Sequence, residues 1–258
     1  MSGVARLFGI PVAKVTEQQA VERIVALARA PREGRAAMVA TLNVDFVTNA
    51  VRGWPFGGND ELWRYLREAD FVTADGMPIV WLSRLRFDPL PARVTGADLV
   101  PAICRRFAEE NLSVSVLGGC GPALDAAFER LRALAPGLRV AGCDPVFVPL
   151  DGDTPEIVAR INAARPDLLF VALGNPKQEL WMGRNAAKLD VPVMMGVGGA
   201  FNFIAGRVRR APRWMQRCGM EWLYRVRQEP RRLWRRYAYG LVKFSYLSVL
   251  QLFGRYHG

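Results

Sequence analysis

The stretch "DLLFVALGNPKQELW", Asp167 to Trp181, decides the fold. From Leu168 to Leu173 every residue is apolar, so a strand here has to bury both of its faces. Strands of that kind belong to parallel sheets covered by helices on both sides. The stretch then turns polar at Asn175, and Pro176 is suited to open a helix, read over 176–189. The same alternation extends in both directions. Strands are read at 36–42 ("AAMVATL"), 71–74 ("FVTA"), 114–119 ("VSVLGG"), 138–142 ("LRVAG"), 167–174 and 191–199 ("VPVMMGVGG"). Helices are read at about 16–30, 44–52, 59–69, 78–86, 97–110, 122–135 and 155–165. This is a Rossmann-like α/β fold, a mostly parallel sheet with helices on both faces, in which ligands bind at the carboxyl ends of strands. After "GGAFNFIAG" (198–206) strand signals stop and arginine-rich helical segments begin. Residues 1–206 are therefore expected to form the α/β core, and 207–258 a basic, amphipathic helical appendage.

Charge follows the same division. The 258 residues carry a net +11, and +9 of it lies between Arg207 and Arg236. A nearly neutral body with so basic an appendage points to a polyanionic partner. Hydrophobic residues make up 51% of the chain, enough for a sizeable core. Four cysteines without CxxC spacing fit a reducing compartment. The N-terminus lacks the apolar core of a signal peptide, and no run is long enough to span a bilayer. The only histidine is His257, so serine–histidine triads and histidine–zinc sites are excluded from the body. Acid–base chemistry must then rest on carboxylates, lysine or tyrosine.

Four polar clusters stand at strand ends. In "TLNVD", Thr41 and Asn43 precede a helix, where Asn43 is either an N-cap or part of a pocket. In "TADGMPIVW", Asp75 follows a strand directly and is either a capping residue or a general base. In "ALGNPKQELW", Asn175, Lys177, Gln178 and Glu179 exceed what a cap requires, and free backbone N–H groups there favour an anionic oxygen. In "GVGGAFNFIAG", Gly196, Gly198 and Gly199 admit either a ligand or tight packing. Asp151 and Asp153 form a DxD pair, but Thr154-Pro155 follows at once, so they read as turn and cap residues and no metal is expected.

In this order the motifs resemble the WecG/TagA/CpsF family, glycosyltransferase family 26. The residues that carry the resemblance are "TLN" (41–43), "ADGMP" (74–78), "RVTGADL" (93–99), "LGNPKQELW" (173–181), "GVGGAFNFIAG" (196–206), "RRAPRW" (209–214) and "EWLYRVRQEPRRLWRR" (221–236). The resemblance implies an inverting transferase without a cofactor. It would move a sugar from a UDP-sugar to a polyprenyl-diphosphate-linked saccharide in bacterial surface polysaccharide synthesis. Such enzymes work peripherally at the cytoplasmic face of the bacterial inner membrane. Asp75 matches the catalytic aspartate. Thr41, Asn43, Arg93 and Gln178 match positions at the active site, and Lys177 and Gly198 fall within the matching motifs. Arg225, Arg232 and Arg235 match appendage arginines that reach the substrate diphosphates. Asn202 stands where many relatives have aspartate.

The tail "YAYGLVKFSYLSVLQLF" (237–253) is apolar at helical spacing but interrupted by Lys243. It suits a helix lying on an anionic membrane surface, or one packed on the body. Two rival readings lose ground. A nucleic-acid binder would use the arginines but has no need of the strand-end clusters, so nucleic acid is not an expected partner. An oxidoreductase would need a dinucleotide fingerprint, and "LGGCGP" (117–122) lacks its spacing.

Overall fold

The structure is a computed structural model that describes residues 3–32, 34–119, 121–145, 148 and 154–254. An antiparallel hairpin, β1 (Val4–Leu7) and β2 (Ile10–Ala13), precedes six strands. These are β3 (Ala37–Leu42), β4 (Phe71–Ala74), β5 (Ser113–Gly118), β6 (Arg139–Asp144), β7 (Leu168–Ala172) and β8 (Val193–Gly196). They form one parallel sheet in the order β4-β3-β8-β7-β5-β6. All six strands read from the sequence are present, the last two shorter than read because their final residues leave the ladder as glycine-rich turns.

Alternation within the strands assigns the helices to layers. Met38, Ala40, Leu42, Leu169, Val171 and Met194 face one side. They pack there against the hairpin and helices α2 (Val44–Ala50), α3 (Asp60–Glu68), α4 (Met77–Leu85) and α8 (Lys177–Asn185). Val39, Val116, Phe170 and Met195 face the other side, against α1 (Glu17–Ala28), α5 (Gly96–Glu109), α6 (Pro122–Leu134) and the short α9 (Ala200–Ile204). Helix α7 (Pro155–Ala164) leads into β7, and α10 (Arg213–Arg217), α11 (Glu221–Gln228) and α12 (Pro230–Leu252) complete the chain.

The hairpin was not read from the sequence. Its two-residue loop, Phe8-Gly9, has positive φ at both positions (54° and 77°), as a type I′ turn requires. Phenylalanine there costs about 1–2 kcal/mol. Its ring is fully buried, 6.0 Å from Phe244 of α12, and burial of that size returns about 1.5–3 kcal/mol. Tertiary packing thus outweighs local preference.

Helix α12 packs on the body. Leu233, Gly240, Phe244 and Leu247 are buried, and Phe244 and Leu247 join the same core as the hairpin and α2. Lys243, which interrupts the apolar pattern in sequence, is also buried. Its Nζ donates to Thr48 O at 2.5 Å, in the last turn of α2, and to Gly57 O. Those carbonyls at a helix end and a loop give the ammonium its partners, although burial still lowers its pKa. Arg86 Nη1 donates to Gln251 O at 2.9 Å and ties the far end of α12 to α4. The opposite side of α12 exposes Val242 and Val249, and the residue that caps the helix, Phe253, is exposed as well. Replacing Lys243 by Met keeps the volume but leaves two carbonyls without a donor. Urea denaturation of Lys243→Met is expected to show a loss of about 1–3 kcal/mol.

Candidate active site

A cleft of about 240 Å³ opens outside the carboxyl ends of β3 and β4. Its floor comes from the β3–α2 turn (Asn43, Val44, Asp45), the β4–α4 turn (Asp75 to Pro78) and the approach to α5 (Arg93, Thr95, Ala97). The C-terminal helices supply the roof, with Glu221, Trp222 and Arg225 from α11 and Tyr237, Leu241 and Phe244 from α12.

Asp75 is set at the junction of floor and roof. Its backbone N–H continues the ladder by donating to Leu42 O at 2.7 Å. The capping reading does not describe it, because the N-cap position of α4 is held by Gly76 without any side-chain cap bond. Gly76 has φ 141°, a conformation side chains resist, and this turn leaves the Asp75 carboxylate in the cleft. The backbone N–H of Gly96, the first residue of α5, favours its charged form. Burial nevertheless pushes its pKa up to about 7. The charge of Arg93 opposes that rise, while Glu221 and Asp98 add to it.

Asn43 fulfils both of its readings. Its Oδ1 accepts from Phe46 N–H at 3.2 Å as the N-cap of α2, and the residue lines the cleft. Thr41 is buried one position before the end of β3, under the start of α5 and outside the cleft lining. Arg93 lines the cleft and donates to Glu221 Oε2 at 2.7 Å and to Gln216 Oε1 at 3.0 Å. Arg210 also lines it, paired with Asp98, with Glu221 Oε1 3.6 Å from its Nε. Arg225 differs from both. Among the described residues no carboxylate pairs with it; like that of Arg210, its Nε is buried without a hydrogen-bond partner, and its guanidinium lies 5.3 Å from the centre of the Phe203 ring. Arg236 pairs with Asp45 and fastens α12 to the floor.

The remaining residues singled out in the sequence lie off the cleft lining. Gln178 is buried, and its Oε1 accepts from Gly198 N–H at 2.9 Å and Gly174 N–H at 3.2 Å. Gln178 thus joins the loop before α8 to the loop after β8 through the N–H groups of Gly174 and Gly198. Gly196 belongs to the same packing, since a Cβ there would stand 2.8 Å from Gln178 Nε2. Glu179 is buried beside it, receiving Gln178 Nε2 at 2.5 Å and Asn175 Nδ2 at 3.0 Å, and burial lifts its pKa to about 7. Lys177 is half-buried at the start of α8. Arg232 is exposed and paired with Glu229, and Arg235 is exposed over the Trp234 ring.

Among the described residues no group of three or more His, Cys, Asp or Glu stands where it could hold a metal ion. Asp151, Asp153 and His257 lie outside the described residues. Sequence reasoning missed the roles of Asp98, Arg210, Gln216 and Glu221. They lie within or beside the quoted motifs, but their partners are more than a hundred residues away in the chain.

A Rossmann-like sheet with a buried carboxyl group and three arginines gathered outside its strand ends is suited to chemistry on an anionic substrate. The chain belongs to the WecG/TagA/CpsF family of glycosyl transferases, whose family model matches residues 5–258. It is 31% identical over 204 residues to the N-acetylglucosaminyldiphosphoundecaprenol N-acetyl-beta-D-mannosaminyltransferase of Bacillus spizizenii (strain W23), covering 79% of this chain and 76% of that one. The protein of the same description from Bacillus subtilis (strain 168) is 28% identical over 200 residues, covering 78% and 74%.

Folded Asp75 keeps its proton up to about pH 7, whereas an aspartate in the unfolded chain ionises near 3.8. Over that interval the folded state binds the extra proton, so stability is lost as pH rises and the full penalty is present above 7. Asp75→Asn removes the penalty. Its unfolding free energy at pH 8 is expected to exceed the parent's by on the order of 2–4 kcal/mol, with the gain vanishing toward pH 4.

Proposed function

We propose that the chain transfers a sugar from a UDP-sugar to a polyprenyl-diphosphate-linked saccharide, with inversion, at the cytoplasmic face of the bacterial inner membrane. The observation that carries this reading is the convergence of Asp75, Arg93, Arg210 and Arg225 in one cleft of a glycosyl transferase fold. The two relatives are named for transfer of N-acetylmannosamine to N-acetylglucosaminyldiphosphoundecaprenol, which supports a lipid-diphosphate acceptor here too.

Inversion in one displacement requires a base on the face of the sugar opposite the departing group. In the proposed step Asp75 takes the proton of the acceptor hydroxyl as its oxygen bonds to the anomeric carbon. The bond from that carbon to the UDP oxygen breaks, and the electron pair leaves with the diphosphate. Arg225, which lines the cleft and pairs with no carboxylate among the described residues, is the natural group to meet that charge, alongside Arg93 and Arg210. Asn43 orients a sugar at the floor. Thr41, Gln178 and Gly198 act from beneath by holding the strand ends. Lys177, Arg232 and Arg235 would reach substrate only if the surrounding segments moved.

Attachment to the membrane is proposed through the appendage. Among the described residues no helix is long and apolar enough to cross a bilayer. The outward side of α12 and the exposed Trp214, Trp222 and Trp234 instead offer an apolar, arginine-flanked surface. Each arginine near an anionic leaflet contributes roughly 1 kcal/mol.

Release of UDP, followed across a panel of UDP-sugars with a lipid-diphosphate acceptor, tests the reading; silence across the whole panel would refute it. Asp75→Asn should fold and lose about 10²–10⁴-fold in rate. Arg225→Ala should lose about 100-fold. Below pH 7 the rate should fall roughly tenfold per unit as Asp75 takes up its proton. Activity should persist in EDTA, and strict dependence on a divalent cation would contradict the assignment of charge stabilisation to arginine.

A further inference from the structure

Arg93 belongs to the body, yet among the described residues both of its hydrogen-bond acceptors come from the C-terminal segment. Glu221 Oε2 receives Nη1 at 2.7 Å, and Gln216 Oε1 receives Nη2 at 3.0 Å. The nearest body carboxylate is Asp98, whose Oδ2 is 4.0 Å from Nη2 and already accepts from Thr95 and Arg210. The Arg93–Glu221 pair is well enclosed, its side chains only 15% and 20% exposed. Glu221 also stands 3.6 Å from Arg210, so one carboxylate at the first residue of α11 braces two cleft arginines.

We propose that Glu221 is a positioning residue for the transfer: it clamps Arg93 beside Asp75. The C-terminal segment would then supply acceptors that orient a body residue, as well as arginines of its own. A guanidinium held on two edges keeps one orientation, whereas a free arginine samples many rotamers. Removing one member of an enclosed pair leaves the other charge uncompensated, so the clamp and the site should fail together. Asp75 feels the same group. The charges acting on it are Arg93, Asp98, Arg210 and Glu221, with Asp45, Arg225 and Tyr237 lining the rest of the cleft.

The inference rests on the transferase reading, and the test separates the two. Glu221→Gln keeps an oxygen for Arg93 but removes a negative charge near Asp75, which eases ionisation of that carboxyl. The acid limb of kcat/KM is expected to move down by about half a pH unit, and the Asp75 carboxyl followed by ¹³C NMR should titrate lower by the same amount. Glu221→Ala removes the clamp, and kcat should fall at least about tenfold while KM for the UDP-sugar changes little. If Glu221→Ala does not fold, Gln216→Ala, which removes Arg93's other acceptor without a change of charge, should still lower kcat. An unmoved or raised titration in Glu221→Gln, or an unchanged kcat in the folded alanine variant, overturns the proposal. If the parent transfers no sugar from any donor, the functional reading fails, and the carboxyl titration by itself decides whether Glu221 acts on Asp75.

Discussion

Enclosed charges need partners, and the ion network at the mouth of the sheet is the constraint around which the rest of the molecule is arranged. Arg93 and Asp98 come from the body, and Arg210, Gln216 and Glu221 from the segment that follows it. Neither set satisfies itself. Arg93 without Glu221 and Gln216 has no acceptor among the described residues, and Asp98 without Arg210 loses the partner that holds its pKa down against burial. Desolvation makes such groups costly alone and tolerable together. The helices that roof the cleft are therefore held by the same charges that shape it.

That arrangement explains how Asp75 can sit so high. A carboxylate in the open would ionise near its ordinary value. Here burial raises it to about 7, and the neighbouring carboxylates Glu221 and Asp98 add to the rise. Arg93 and the Gly96 N–H prevent a further climb. The balance leaves a group that accepts a proton readily near neutrality, which is what a base for a sugar hydroxyl requires. It also gives the folded chain a local instability that an amide at that position would relieve.

Much of the architecture was legible from the chain. Unbroken apolar runs such as Leu168–Leu173 read as two-faced strands, and the sheet contains a strand at each predicted place. The β1–β2 hairpin was not legible, because Phe8-Gly9 lacks the asparagine or aspartate that usually marks such a turn and is stabilised by a ring buried against α12. The cluster at Asn175–Glu179 was recognised as more than a cap, but its Gln178 is turned inward, where it accepts from the N–H groups of Gly174 and Gly198. Lys243 looked like a break in an apolar helix and is an internal tie to α2 and the following loop.

By itself the sequence determined the parallel α/β layering, the position of Asp75 at a strand end, the concentration of arginine after residue 206 and the family to which the motifs point. These follow from periodicity, composition and local order, which act over a few residues. Only the tertiary structure decided which arginines face the cleft, that Glu221 and Gln216 hold Arg93, and that α12 puts one side into the core. Those outcomes depend on contacts between residues more than a hundred positions apart, and on burial that gives each charge its partner and Asp75 its raised pKa.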